Sequence, residues 1–127
     1  MESLSPNLFV KDITATIEFY KALGFNLTMT VPETGDFVWV MMTCGSVSFM
    51  FQTFASLGDT LPEVSRTGGG SLLLYIKLKN IRTLFDSVKN KVTVIQGLEK
   101  TFYGATEFSI KDNNGFILTF AEDEQQS

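Results

Sequence analysis

The sequence predicts an α+β fold built from two tandem βαβββ units. Three observations carry that expectation. Each of two helix-period stretches follows one β-favouring run and precedes three more. Asp12-Ile13, which opens the first such stretch, recurs as Asn80-Ile81, a shift of 68 residues (80 − 12). Val47-Ser-Phe-Met-Phe51 then falls on Phe116-Ile-Leu-Thr-Phe120 at a shift of 69 (116 − 47), so order and spacing both repeat.

The elements follow in order. Leu4 to Val10 carries alternating, β-favouring residues and suits a strand. Asp12 caps a helix in which Ile13, Ile17, Tyr20 and the nearby Leu23 form one apolar stripe, and Gly24 stops it. Phe25 to Val31 is a second strand, closed by the turn Pro32-Glu33-Thr34-Gly35-Asp36. Phe37 to Thr43 is a third strand, Cys44-Gly45-Ser46 a short turn, and Val47 to Thr53 a fourth strand. From Phe54 to Gly70 the periodicity is lost to Ser, Thr, Pro and a triple Gly, which marks a connecting loop, either a lid or a spacer.

The pattern then restarts. Ser71 to Leu78 is a strand, Asn80 takes the capping position, and Ile81, Leu84, Phe85 and Val88 make the second stripe. Val92 to Gln96, Glu107 to Lys111 and Phe116 to Ala121 supply the remaining strands. The last two are joined by Asp112-Asn113-Asn114-Gly115, a composition that tolerates positive φ. With 127 residues the chain has the length of one domain, 1–127, with unit one at about 4–53, the loop at 54–70 and unit two at about 71–122.

Composition narrows the function classes. A net charge of −4 with ten scattered Lys and Arg argues against nucleic acid and favours a cationic or neutral small ligand. Cys44 is the one cysteine, so no internal disulfide forms, and without a His to activate it the residue reads as a small hydrophobe at a strand end. Met-Glu-Ser-Leu-Ser-Pro lacks the basic and apolar regions of a signal peptide, and Phe37 to Met42 is far short of the roughly 20 residues of a membrane helix. A cytoplasmic location with no membrane partner is the expectation. In the third strand Phe37, Trp39 and Met41 alternate with Val38, Val40 and Met42, so both faces are apolar. A helix covers only one of them, which leaves the other as a ligand or partner surface.

The closing run Tyr103-Gly104, Glu107-Phe108, Asp112-x-x-Gly115 and an apolar strand resembles the vicinal oxygen chelate superfamily, which includes glyoxalase I, ring-cleaving dioxygenases, fosfomycin-resistance enzymes and bleomycin-resistance proteins. The Gly104-x-x-Glu107-Phe108 part is more similar to the bleomycin-resistance branch. The resemblance covers nearly the whole chain. It implies a curved, partly open mixed sheet around a cleft, with helices on the outer face and the cleft commonly completed across a homodimer.

The superfamily's usual chemistry is divalent-metal Lewis-acid catalysis, with His, Glu or sometimes Gln ligands at equivalent strand positions. The resemblance puts those positions at Ser5, seven residues before Asp12, at its mate Leu73, at Thr119, four residues after Gly115, and at Met50. These are not a credible donor set. The chain contains no His, which also removes the usual neutral-pH base and every Ser-His or Cys-His pair. A metal-dependent lyase, isomerase or dioxygenase would have to assemble carboxylates such as Glu107 with Glu122, or with Asp59 and Glu63. Otherwise no cofactor is expected.

A binding surface is left. If Trp39 defines the cleft face, Phe37 and Met41 share it, the repeat places Glu107 beside Trp39 (107 − 39 = 68), and alternation adds Asn7, Phe9, Met50 and Tyr75, with Ser48 and Gln52 flanking Met50. That mixture is the composition of a small-molecule site. Trp39 would stack on a flat ligand or face a cation, with Glu107 as countercharge. Alternatively, Trp39 and Phe37 fill a dimer interface and Glu107 pairs with a Lys or Arg at its rim. The expected function is metal-free sequestration of a small amphipathic or cationic molecule, similar to the bleomycin-resistance type and non-catalytic.

Overall fold

Strand alternation and two capped amphipathic helices build two sheets, each covered by a helix. In the computed structural model, which describes residues 1–124, the chain divides into two units, the first ending at Gly68 and the second beginning at Gly69.

In the first unit β1 (Asn7–Val10), β2 (Asn26–Val31), β3 (Trp39–Cys44) and β4 (Val47–Thr53) form a mixed sheet in the order β1-β4-β3-β2, with β1 and β4 parallel. The crossover is α1 (Ile13–Ala22), opened by Asp12, whose Oδ1 accepts from the Ala15 amide at 3.0 Å. Gly24, at φ 102°, ends the helix in the left-handed region. Ile13, Thr16, Ile17 and Tyr20 are buried on the helix, against Leu8, Val10, Val40, Met42, Phe49 and Phe51 of the sheet. Rings dominate this core. The Tyr20 centroid lies 4.7 Å from Phe51, 5.6 Å from Phe25 and 5.7 Å from Phe49.

In the second unit β5 (Leu73–Lys77), β6 (Thr93–Lys100), β7 (Ala105–Lys111) and β8 (Ile117–Asp123) repeat the plan as β5-β8-β7-β6, with β5 parallel to β8 and α3 (Ile81–Val88) as crossover. Phe108 stacks on Phe120 and meets Phe85 of α3 edge-on, with both centroid distances 5.0 Å. The α+β expectation holds, with two open four-stranded sheets. Register reproduces the repeat: Asn7 stands opposite Met50 and Tyr75 opposite Thr119, which are shifts of 68 (75 − 7) and 69 (119 − 50).

Several boundaries differ from expectation for identifiable reasons. β1 begins at Asn7, and Leu4 is exposed ahead of it. β3 begins at Trp39, so Phe37 precedes the strand. Cys44 ends β3 and is exposed. β6 continues to Lys100, because register shifts after Val94 and Gln96 scramble the two-residue alternation by which a strand is read. The loop after β4 opens with a single helical turn, α2 (Phe54–Leu57), capped by the Thr53 hydroxyl. Farther along, the Arg66 guanidinium donates to the carbonyls of Thr60 (2.6 Å), Val64 (3.0 Å) and Leu61 (3.1 Å), tying the loop to itself.

Asn80 occupies the N-cap of α3 in the left-handed region (φ 63°), and its side chain makes no capping bond. The Glu122 carboxylate of β8 caps the helix instead, accepting from the Asn80 amide at 3.1 Å and the Ile81 amide at 3.0 Å. Those two bonds hold the Glu122 carboxyl below the usual glutamate range. No helix among the described residues is long and apolar enough to cross a membrane.

Candidate small-molecule site

Each sheet turns one face to its helix, so the site residues are sought on the other. In the first unit cross-strand register arranges that face in rungs. One rung runs Asn7, Met50, Met41, Met29, and the next runs Phe9, Gln52, Trp39, Val31. All are half-buried except Met29 and Val31, which are exposed on the edge strand. Five of the expected residues, Asn7, Phe9, Trp39, Met41 and Met50, therefore share one surface. Phe37, half-buried, lies just ahead of it.

Carboxamides are set into this apolar surface. Asn7 Nδ2 donates to Gln52 Oε1 at 3.0 Å, and Gln52 Nε2 donates to Ser56 Oγ at 3.0 Å. The Ser56 hydroxyl in turn donates to the Thr53 carbonyl at 2.8 Å, so α2 anchors the chain of amides. Among the described residues Asn7 Oδ1 is buried with no partner, an acceptor whose desolvation they do not repay. Phe54 of α2 stacks on Phe9 at 6.4 Å between centroids.

In the second unit the corresponding rungs are Tyr75, Thr119, Ser109, Gln96 and Lys77, Ala121, Glu107, Glu99. Glu107 holds the place that Trp39 holds in the first unit, as the repeat requires. Its Oε2 accepts from two phenols at once, Tyr75 Oη and Tyr103 Oη, the latter at 2.6 Å. Among the described residues Glu107 makes no ion pair; the ion pairs there are Lys77 with Asp123 and Lys89 with Asp86. Tyr103, in the turn ahead of β7, is the site residue that sequence reasoning missed. The aromatic-Gly pair that opens the closing motif was its available signal.

Hydrogen bonding to Glu107, with desolvation and the carboxylate's charge adding to it, pushes both phenols above the ordinary tyrosine value of about 10. The interaction stabilises the fold while the phenols keep their protons. Its contribution is fully present below pH about 10 and is lost as pH rises through the raised values. Glu107→Gln removes the cause. Ultraviolet titration at 295 nm should accordingly show two tyrosines ionising at lower pH in the variant than in the parent protein.

The four positions at which the superfamily resemblance puts metal ligands hold no hard donor set. Ser5 is exposed and outside any strand, and Leu73 is an exposed hydrocarbon. Met50 offers a thioether, and the Thr119 hydroxyl is bonded to the Ser109 hydroxyl at 2.8 Å. This set does not fit a hard divalent cation. Glu107 and Glu122 cannot combine either: Glu107 stands opposite Ala121, so the adjacent Glu122 projects from the other side of the sheet, where it caps α3. Among the described residues no three His, Cys, Asp or Glu side chains gather as a metal site. A cavity of about 710 Å³ lies at the start of α3, lined by Lys77, Lys79, Arg82, Thr106, Glu122 and Glu124 among others. It includes none of the expected ligand-binding residues, and the helix amides that would attract an anion there already serve Glu122.

Comparison with known proteins gives the family and the fold. Residues 4–120 match the model of the Glyoxalase/Bleomycin resistance protein/Dioxygenase superfamily. No curated protein sequence matches. Among solved structures, a protein of unknown function from Agrobacterium tumefaciens str. C58 is similar with TM-score 0.79 at 24% identity, over 97% of this chain and 94% of that one. TioX from Micromonospora sp. ML1 is similar with TM-score 0.78 at 17% identity, over 97% and 99%. A bleomycin resistance determinant encoded on the transposon Tn5 is similar with TM-score 0.70 at 19% identity, over 98% and 100%.

Proposed function

The chain belongs to the Glyoxalase/Bleomycin resistance protein/Dioxygenase superfamily, and from that premise we propose that it binds and sequesters a small amphipathic or cationic molecule without a metal and without chemical turnover. The observation that carries this reading is the composition of the two rungs in the first unit. Phe9, Trp39, Met41 and Met50 offer a polarisable apolar surface, Asn7 and Gln52 offer directional hydrogen bonds, and neither rung supplies an acid, a base or a nucleophile. Such a surface recognises shape without moving a proton. Similarity in fold to a bleomycin resistance determinant makes bleomycin one reasonable probe among planar cationic compounds.

Trp39 is the chain's one tryptophan, so its emission reports directly on the surface. A panel of planar and cationic molecules is expected to contain members that change Trp39 emission saturably. At a hundredfold excess over Kd such a ligand should stabilise the fold by about 2.7 kcal/mol. Recovery of a chemically altered ligand, or one tightly held transition metal per chain, would overturn the reading. We take the binding form to be a cytoplasmic homodimer, and sedimentation at monomer mass in the presence of saturating ligand would remove that part.

A further inference from the structure

We infer that Tyr75, Glu107 and Tyr103 form a seat for the N–H-bearing head of an organic cation, an ammonium or amidinium on an apolar body. This rests on the binding reading above and names the ligand chemistry that the second unit selects. Both phenols bond the same carboxylate oxygen, Oε2, while Oε1 has no hydrogen-bond partner among the described residues. The carboxylate is thus held in one orientation with half of its acceptor capacity unused, a charge that accepts and cannot donate.

The rings that hold it are presented outward. Tyr75 is 47% exposed and Tyr103 58% exposed, although each is anchored by its hydroxyl. Phe102, fully exposed, meets Tyr103 edge-on at 5.1 Å and extends the aromatic border. Ordering two surface phenols against one charge costs side-chain entropy, and burial does not return it. Cation–π contact with an incoming ligand would. Beyond the two phenols, no cation among the described residues pairs with Glu107. Glu99 lies directly opposite on β6, Lys77 is engaged with Asp123 at 3.3 Å, and Ser109 and Thr119 bond one another. The Glu99 carboxylate is itself taken up by Gln96 Nε2 and offers Glu107 no countercharge.

The choice between N–H cations and neutral ligands follows from geometry. A pinned carboxylate oxygen accepts from an amidinium in plane, whereas a neutral amide of the same shape brings no charge to it. Benzamidine and benzamide form the matched pair for the test, followed by changes in the aromatic carbon resonances of Tyr75 and Tyr103. Benzamidine is expected to bind at least about tenfold more tightly than benzamide, with the advantage shrinking as salt is added. In Glu107→Gln the ratio should fall to near one. Tyr103→Phe keeps the ring but removes one of the two bonds that orient the carboxylate, and should reduce the ratio severalfold.

Equal affinities in the parent protein, or an unchanged ratio in Glu107→Gln with circular dichroism intact, overturn the seat. If Trp39 emission still reports binding of a panel compound in those cases, the sequestration reading survives without it. If neither benzamidine nor any panel compound binds, both are overturned together.

Discussion

Replacing Tyr20 with alanine is expected to lower the free energy of unfolding by about 3–5 kcal/mol, the range for deleting a buried aromatic ring. Tyr20 is fully buried, with 0% of its surface exposed. Its ring touches Phe19 on its own helix, Phe25 at the entry to β2, and Phe49 and Phe51 on β4. Removing it opens a cavity bordered by rigid rings. These cannot close the space by changing rotamer as Met or Leu would. A domain of this size is stabilised by roughly 5–15 kcal/mol in total, so the variant should unfold at markedly lower urea concentration. Tyr20→Phe keeps all four ring contacts and is expected to cost well under half as much. Equal losses in both variants would place the energy in the hydroxyl rather than in the ring cluster.

The same cluster explains why so much of the fold was legible. Ile13, Ile17 and Tyr20 fall on one side of a helix, and Phe49 and Phe51 on one side of a strand, because each period is written by residues whose burial the core enforces. The repeat was legible for a related reason. Asp12 and Asn80 both precede a crossover helix, and the runs ending in Phe51 and Phe120 both lie beneath one, so equivalent positions face equivalent demands. Legibility failed where local geometry departs from those periods. β6 could be read only to Gln96 because its register shifts twice, and the cap of α3 could not be read at all because it comes from Glu122, 41 residues beyond Ile81.

The candidate site was legible in its strand members and not in its connections. Alternation alone puts Asn7 with Phe9 and Trp39 with Met41 on common faces. That Asn7 should bond Gln52, or that Tyr75 should reach Glu107, depends on which strands become neighbours, and here β4 and β8 are each inserted between strands distant in sequence. Tyr103 is harder still. It sits in a turn, outside any period, and acquires its role only because that turn folds its phenol back over the start of β7. Within the chain Glu107 meets phenols rather than the Lys or Arg that the alternative, dimer-rim reading gives it. Charge composition gives the number of Lys and Arg but not their reach, and Lys77, the basic residue in the same rung, is turned to Asp123.

A second large loss is expected at the hairpin between β7 and β8. Asp112 is buried, and its Oδ1 accepts from the amides of Asn114 and Phe116, each at 2.8 Å. The turn closes with Gly115 at φ 91°, a conformation that a side chain resists, and Gly115 N donates to the Asp112 carbonyl at 3.2 Å. One carboxylate oxygen therefore satisfies two amides that no ladder bond reaches, and one of them, that of Phe116, is buried. Asp112→Ala strands both and is expected to cost about 2–4 kcal/mol, each charge-assisted bond and its desolvated donor contributing. Asp112→Asn retains an acceptor at the same place and should recover about half of that, since it lacks only the charge. The consequence extends beyond stability. β7 carries Glu107 and β8 carries Thr119 and Ala121 in fixed register, and a frayed hairpin releases that register from the end nearest Lys111. Hydrogen exchange should show Asp112→Ala losing protection first at Lys111 and Ile117, with the amides around Glu107 following. Uniform loss along both strands would instead mean that the turn contributes only to global stability.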